Sequence, residues 1–133
     1  MSAIIAPKGS PLNTAIIGVE NLDQSIGFYR DLIGLSVSDP FDWRGKDFEE
    51  IWHLPSGSHA TGSFCELKGC NAGRVLLLDF KSENKKLIRP KDTSRAYGLF
   101  NLNFYTDDIE SDTKKFESKG YRIWSKPTYY EMS

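Results

Sequence analysis

The chain has 133 residues, of which 39% are hydrophobic and 26% are charged, and its formal net charge is -1. A chain of this length can bury one hydrophobic core but not two independent ones, so we expect a single domain. The near-neutral charge argues against binding to nucleic acid or to an anionic membrane surface. The expected partner is a small molecule.

No targeting signal or membrane segment is predicted. The first ten residues hold one short apolar piece, residues 3–6, and Lys8 follows it rather than preceding it, unlike a signal peptide. No apolar run approaches the roughly 20 residues of a membrane-spanning helix. Two cysteines, Cys65 and Cys70, fit reduced, inert thiols better than a disulfide framework. These features predict a cytoplasmic protein.

The first half of the chain predicts a strand, a helix and then further strands. A strand over residues 12–19 leads to Asn21, a helix-capping residue. Apolar and aromatic residues then recur at spacings of four, three and four, a pattern that predicts one face of a helix: Leu22, Ile26, Tyr29 and Ile33. Gly34 ends this helix, and a short strand over residues 35–38 follows.

Residues 41–60 predict an irregular, partly ordered loop that contains several aromatic side chains. Strand character returns over residues 61–67 and 74–80, and the glycine-containing turn between them predicts a hairpin. Residues 81–95 are rich in lysine and arginine. An anion-binding patch is one interpretation, but a solvated linker is favoured because the charges have no regular spacing.

The second half repeats the strand-to-helix unit. A strand is predicted over residues 99–106, a helix over 109–118 ended by Gly120, and a strand over 121–125. Two more strands would complete a second copy of the first unit, but only eight residues follow Ser125. The chain could be truncated, a neighbouring subunit could complete the unit, or residues 128–133 could begin the third strand.

Residues 19–35, VENLDQSIGFYRDLIGL, resemble the signature of the vicinal oxygen chelate superfamily. Its members include glyoxalase I, extradiol dioxygenases and bleomycin resistance proteins. The resemblance implies an α+β fold in which paired βαβββ modules form a cupped mixed sheet with the helices outside. Module one would span residues 12–80, a linker 81–96, and an incomplete module two 97–133.

The resemblance also implies a ligand cavity on one side of the sheet. Side chains alternate between the two faces of a strand, which assigns Leu76, Leu78 and Phe80 to the helix side. The alternation predicts these cavity residues: Thr14, Ile16, Leu77, Asp79, Asn101, Asn103 and Tyr105. Trp43 and Trp52 could stack on a flat ligand at the cavity mouth, or could complete the core from a loop folded over the sheet.

Family enzymes hold a divalent metal through a histidine or glutamine on the first strand of each module and a glutamate on the fourth. The corresponding residues are Thr14, Asn101 and Leu77, and none is a strong ligand for a transition metal. Asp79 could supply one carboxylate. His53 and His59 could clamp a metal or act as acid and base, but exposed or turn-packing imidazoles are the favoured interpretation. We therefore assign no metal ligand and no catalytic residue.

Three functional hypotheses follow. The leading one is a small-molecule-binding, glyoxalase/bleomycin-resistance-like protein that lacks the usual metal ligands. The second is a metal-dependent lyase, isomerase or dioxygenase, using Fe, Zn, Ni, Co or Mn, completed by missing strands or a second subunit. The third is a partial module with an assembly role only. The unpaired edge of a short second module also predicts a homodimer.

Overall fold

The computed structural model describes residues 12–70, 72–81 and 101–131. The chain forms two compact units, Met1–Lys85 and Lys86–Ser133. No helix of the described ranges is long and apolar enough to cross a bilayer.

The first unit is built on a mixed sheet of five strands, which confirms the predicted α+β class. The strands are β1 (Thr14–Gly18), β2 (Ser36–Val37), β3 (Phe41–Arg44), β4 (His59–Glu66) and β5 (Arg74–Phe80). Their order is β1-β5-β4-β2, and β3 also pairs with β4. β1 and β5 are parallel, whereas β4 and β5 form the predicted antiparallel hairpin.

Helix α1 (Leu22–Gly27) follows β1 and continues as a π-helical segment, Phe28–Ile33. It starts as predicted, because the Asn21 side chain accepts a hydrogen bond of 2.9 Å from the Gln24 N–H. It ends as predicted at Gly34, whose φ of 86° is left-handed.

Leu22, Ile26 and Leu32 are the buried side chains of this helical stretch. The first two confirm the predicted face, but its last buried member is Leu32 rather than Ile33. In the π-helical segment the Gly34 N–H donates to the Tyr29 carbonyl five residues back. This wider turn rotates the face away from the spacing of a regular α-helix.

The prediction of an irregular loop over residues 41–60 is wrong. This segment contains β3 and a second helix, α2 (Lys46–Trp52), as well as the start of β4. β2 and β3 lie along the same side of β4, at opposite ends of it. Between them, Ser38 keeps contact with β4: its N–H donates to the Phe64 carbonyl at 2.9 Å, and its hydroxyl accepts from the Phe64 N–H at 3.0 Å.

The second unit contains α3 (Ile109–Ser118), which confirms the predicted helix and its bounds. The Asp108 side chain caps its start by accepting from the Ser111 N–H at 2.9 Å. The strand predicted over residues 121–125 is wrong, as is the described part, residues 101–106, of the strand predicted over 99–106. Residues 99 and 100 and most of the predicted linker lie outside the described ranges.

Local hydrogen bonds explain part of why the predicted strand is not formed before α3. The Thr106 hydroxyl accepts from the Asp108 N–H at 3.1 Å and donates to the Asp112 carboxylate at 2.5 Å. Such side-chain bonds offer the backbone a turn in place of a strand ladder. These hydrogen bonds hold residues 106–108 in a turn that leads into α3.

Candidate functional site

The register of the sheet determines which side chains share a face. Thr14 pairs with Arg74 and Ile16 with Leu76, while Phe64 of β4 pairs with the same Leu76. Side chains of paired residues lie on the same side of a sheet. We call this side the Thr14 face, and it carries Thr14, Ile16, Gly18, Phe41, Trp43, Ala60, Gly62, Phe64, Glu66, Arg74, Leu76, Leu78 and Phe80.

The predicted placement of Leu77 and Asp79 on this face is wrong. Leu77 pairs with Ile17 and Ser63 and is fully buried on the opposite side. Asp79, 8% exposed, shares that side and accepts from the Lys81 ammonium group at 2.6 Å. Alternation orders the side chains within each strand, but only the register between strands decides which set joins Thr14.

Helix α1 and its π-helical continuation cover the opposite face. Tyr29 of this stretch lies close enough to Cys65, on the Leu77 side of β4, for the thiol to influence its pKa. Burial and this neighbour together raise the pKa of Tyr29. Leu76, Leu78 and Phe80, which the sequence assigned to the helix side, therefore belong to the Thr14 face.

One end of the Thr14 face is covered by aromatic side chains of α2. Phe48 is fully buried and belongs to a cluster with Ala60, Leu76 and Leu78. The Trp52 ring packs 5.2 Å from Phe80 and 6.2 Å from Trp43, between ring centroids, in edge-to-face contacts.

Trp43 and Trp52 thus pack against the core at this end, as the second interpretation of the sequence proposed. The Trp52 indole nitrogen is shielded from solvent and has no hydrogen-bond partner in the described part of the chain. It is an unused donor among aromatic rings.

The other end of the Thr14 face is polar. The Thr14 hydroxyl donates to the Asn13 side-chain oxygen at 2.8 Å. The Arg74 guanidinium carbon lies 5.4 Å from the centre of the Phe64 ring, and its Nη1 is 3.9 Å from Glu66 Oε2. A cleft of about 430 Å³ opens at this end. Its lining residues are Asn13, Glu66, Gly69, Cys70 and Arg74.

Sequence reasoning missed this polar end. Glu66 and Arg74 lie at the two strand ends that flank the predicted hairpin turn, where the hairpin places them near each other. Their charges were a usable signal, but only the register puts them on the same face as Thr14.

Ile16 lies between the polar and aromatic ends. Ile16 is 47% exposed, although its neighbour Leu76 is buried. The row across the sheet formed by Ile16, Leu76 and Phe64 is what we call the apolar strip, and Ile16 is its exposed member. The Thr14 face therefore changes from polar groups, through this apolar strip, to a packed aromatic cluster.

The residues of the first unit do not fit the metal site of the family. Thr14 offers a hydroxyl already bonded to Asn13, and Leu77 has no donor atom and faces the other way. In the described ranges, no three His, Cys, Asp or Glu side chains lie together in a group able to hold a metal ion.

The two histidines have local structural positions. His53 caps the C-terminus of α2 in a left-handed conformation with φ of 51°. His59 begins β4, and its Nδ1 lies 3.4 Å from the Gly57 carbonyl oxygen.

The second unit holds the remaining predicted cavity residues. Asn101, Asn103 and Tyr105 are exposed, and the Asn101 amide donates to the Asn103 side-chain oxygen at 3.1 Å. Their convergence with Thr14 in one cavity stays a prediction.

The two cysteines lie in different environments. Cys65 is buried in β4, and burial raises the pKa of its thiol to about 11. Cys70 is exposed at the cleft. Only the second thiol is accessible to reagents.

Comparisons with known proteins agree with this architecture. Residues 12–133 match the Glyoxalase/Bleomycin resistance protein/Dioxygenase superfamily. A crystal structure of a glyoxalase family protein from Bacillus cereus is similar, with a TM-score of 0.79 and 19% sequence identity, over 98% of this chain and 85% of that one. No curated protein gives a significant match. The chain belongs to the Glyoxalase/Bleomycin resistance protein/Dioxygenase superfamily, and the solved structure supports its fold.

Proposed function

We propose that this protein binds a small molecule on the Thr14 face without the transition metal that many of its relatives use. The observation that carries the proposal is the cleft of about 430 Å³ at the polar end of that face. Its size lies within the usual range for ligand pockets, roughly 300–1,000 Å³.

The face supplies the two kinds of contact that such binding needs. The accessible Ile16 side chain offers apolar surface, whose burial favours binding by roughly 25 cal/mol per Å². Arg74, Glu66 and Asn13 supply polar groups that can orient a ligand at the adjoining cleft. Sequestration of a ligand requires these contacts and no catalytic group.

The residues at the family's metal-ligand positions support binding without a metal. At the positions that the resemblance gives to the family's nitrogen and carboxylate donors, Thr14 and Asn101 offer only a hydroxyl and an amide. Leu77 has no donor atom and lies on the opposite face from Thr14. A metal-dependent lyase, isomerase or dioxygenase would need a donor set that the described part of the first unit does not assemble.

A thermal-shift screen of small molecules, combined with metal analysis of protein purified without chelators, tests the proposal. We expect stabilising ligands and no stoichiometric transition metal. Ile16→Asp should weaken binding by placing a charge on the apolar strip. Ile51→Asp is the matched control, because Ile51 is 61% exposed on α2 and lies off the strip.

Three results would contradict the proposal. One is a stoichiometric transition metal in the purified protein. Another is a screen without any stabilising ligand, which favours the assembly role. The third is an equal loss of binding in both aspartate variants.

We also propose that the protein is a cytoplasmic homodimer. β1 ends the strand order, and its outer edge pairs with no strand in the described ranges. A strand edge without a partner can add a strand from another chain. Light scattering at micromolar concentration should give the mass of two chains, and a monomer would refute the dimer.

A further inference from the structure

The cleft at the polar end of the Thr14 face is lined by an arginine, Arg74, with at least one unpartnered hydrogen-bond donor among the described residues. A guanidinium group has five N–H donors in a planar fork. The Nε of Arg74 is shielded from solvent and has no hydrogen-bond partner in the described residues. The Oε2 atom of Glu66 lies 3.9 Å from Nη1, within ion-pair distance but beyond hydrogen-bond distance.

The other described arginines of this unit, Arg30 and Arg44, are hydrogen-bonded to neighbouring carboxylates. Arg30 Nε lies 2.7 Å from an oxygen of Asp31, and Nη2 of the same side chain lies 3.1 Å from the other oxygen. Arg44 donates to Asp42. Arg74 differs from both because it lines a cleft and because its ion pair with Glu66, at 3.9 Å, is too long for a hydrogen bond.

The surroundings of Arg74 fix its position and add a second donor. The guanidinium lies over the Phe64 ring, which restricts its plane. The Asn13 side-chain oxygen accepts from the Thr14 hydroxyl, whereas the Asn13 amide nitrogen donates to no described residue and is available to a ligand. Two residues with hydrogen-bond donors, Arg74 and Asn13, thus line one cleft.

Building on the proposed small-molecule binding, we propose that this cleft binds the oxyanion group of the ligand, a carboxylate or a phosphate. The planar fork of Arg74 matches two oxygens of such a group, and the Asn13 amide donates a further hydrogen bond. The remainder of the ligand extends over the apolar strip at Ile16.

Glu66 opposes this binding. Its carboxylate also lines the cleft and carries the same sign of charge as the ligand group. Removing that charge while keeping the shape, in Glu66→Gln, should therefore tighten binding. An ordinary structural ion pair between Arg74 and Glu66 would give no such gain.

Cys70 provides a direct readout of cleft occupancy. It lines the cleft and is exposed, whereas Cys65 is buried with its pKa raised to about 11 and remains a protonated, unreactive thiol at pH 8. Iodoacetamide is neutral and does not compete for Arg74. Its rate of reaction in the folded protein should report Cys70 alone.

The experiment measures the Cys70 alkylation rate at constant ionic strength while sodium chloride is replaced by inorganic phosphate or by benzoate. At least one of these anions should slow the reaction in the wild type. The anion concentration that gives half of the full protection should fall in Glu66→Gln. It should rise on the order of tenfold or more in Arg74→Gln, as expected for losing a charge-assisted pair of hydrogen bonds. Arg44→Gln is the matched control and should behave as the wild type.

Protection of equal strength in Arg74→Gln, or no protection by either anion in the wild type, would overturn the inference. Weaker protection in Glu66→Gln would also overturn it, and this variant keeps Arg74 in place. A screened ligand that binds wild type and Arg74→Gln equally would refute the oxyanion role but leave small-molecule binding intact. A stoichiometric metal would refute the proposed function without changing the anion result.

Discussion

Of the two glycines on the Thr14 face, Gly18 and Gly62, Gly62 has the less room for a side chain. A methyl group at this residue would lie 2.7 Å from Leu78 Cδ2, 3.0 Å from Phe41 Cζ and 3.1 Å from the Leu77 carbonyl oxygen. Optimal carbon–carbon separations are about 3.5–4.0 Å, so the closest contact overlaps by about 0.8 Å. The Leu77 oxygen belongs to the backbone of β5 and cannot move without disturbing the β4–β5 ladder.

We expect Gly62→Ala to lower the free energy of unfolding by about 1–2 kcal/mol. Overpacking of a buried site costs about 1–3 kcal/mol, and the reduced entropy of the unfolded alanine chain returns about 0.4–1 kcal/mol. For a domain of this size, the loss corresponds to a decrease in Tm of roughly 3–8 °C. Thermal and urea unfolding, followed by circular dichroism, would measure both values.

Gly18→Ala is the matched control. Its methyl group would meet only Phe80 ring atoms, at 3.8 Å and 3.9 Å, which is ordinary contact. This variant should be as stable as the wild type or slightly more stable. If the two alanine variants had the same stability, the close packing of Phe41, Gly62 and Leu78 would be refuted.

Three further predictions concern single side chains. Asn21→Ala should cost about 1 kcal/mol in urea unfolding because it removes the cap of α1, whereas Asn21→Asp, which keeps a capping oxygen, should retain most of that stability. Ser63→Ala should leave Tm unchanged or raise it, because the buried Ser63 hydroxyl has no hydrogen-bond partner in the described structure, and a clear loss of stability would show that one exists. Because the pKa of Cys65 is raised to about 11 in the folded state, the protonated thiol contributes its full stabilisation below pH 9 and loses it as the pH rises toward about 11. The urea concentration at the unfolding midpoint should therefore fall over that range, and it should fall less steeply in Cys65→Ala.

The sequence predicted elements best where a glycine or a cap marked their ends. β5 and α3 occupy the predicted residues, and Gly34 ends the first helical stretch as expected. These signals are local, because a cap needs one side chain and a left-handed turn needs one glycine. They do not depend on which strands pair.

The elements between residues 41 and 60 were missed because each is too short to establish a period. Phe41 and Trp43 do alternate as strand residues, and Phe48 and Trp52 do share a helical face. Four and seven residues give too few repeats to separate these patterns from a loop. Their aromatic side chains become ordered by packing against Phe80 and Leu76, which lie far away in sequence.

The candidate site was predictable only in part, because it depends on the register between strands. Thr14 and Ile16 were correctly placed on one face of β1, but β5 contributes Arg74 and Leu76 rather than Leu77 and Asp79. A one-residue change of register exchanges every side chain between faces. No periodicity within a single strand contains that information.

The most direct test of small-molecule binding without a metal is one thermal-shift screen, run in parallel on untreated and EDTA-stripped protein. We predict that at least one ligand raises the Tm of both samples by the same amount. The proposal would be contradicted if every stabilising ligand acted only on untreated protein and regained its effect when Fe, Zn, Ni, Co or Mn was restored.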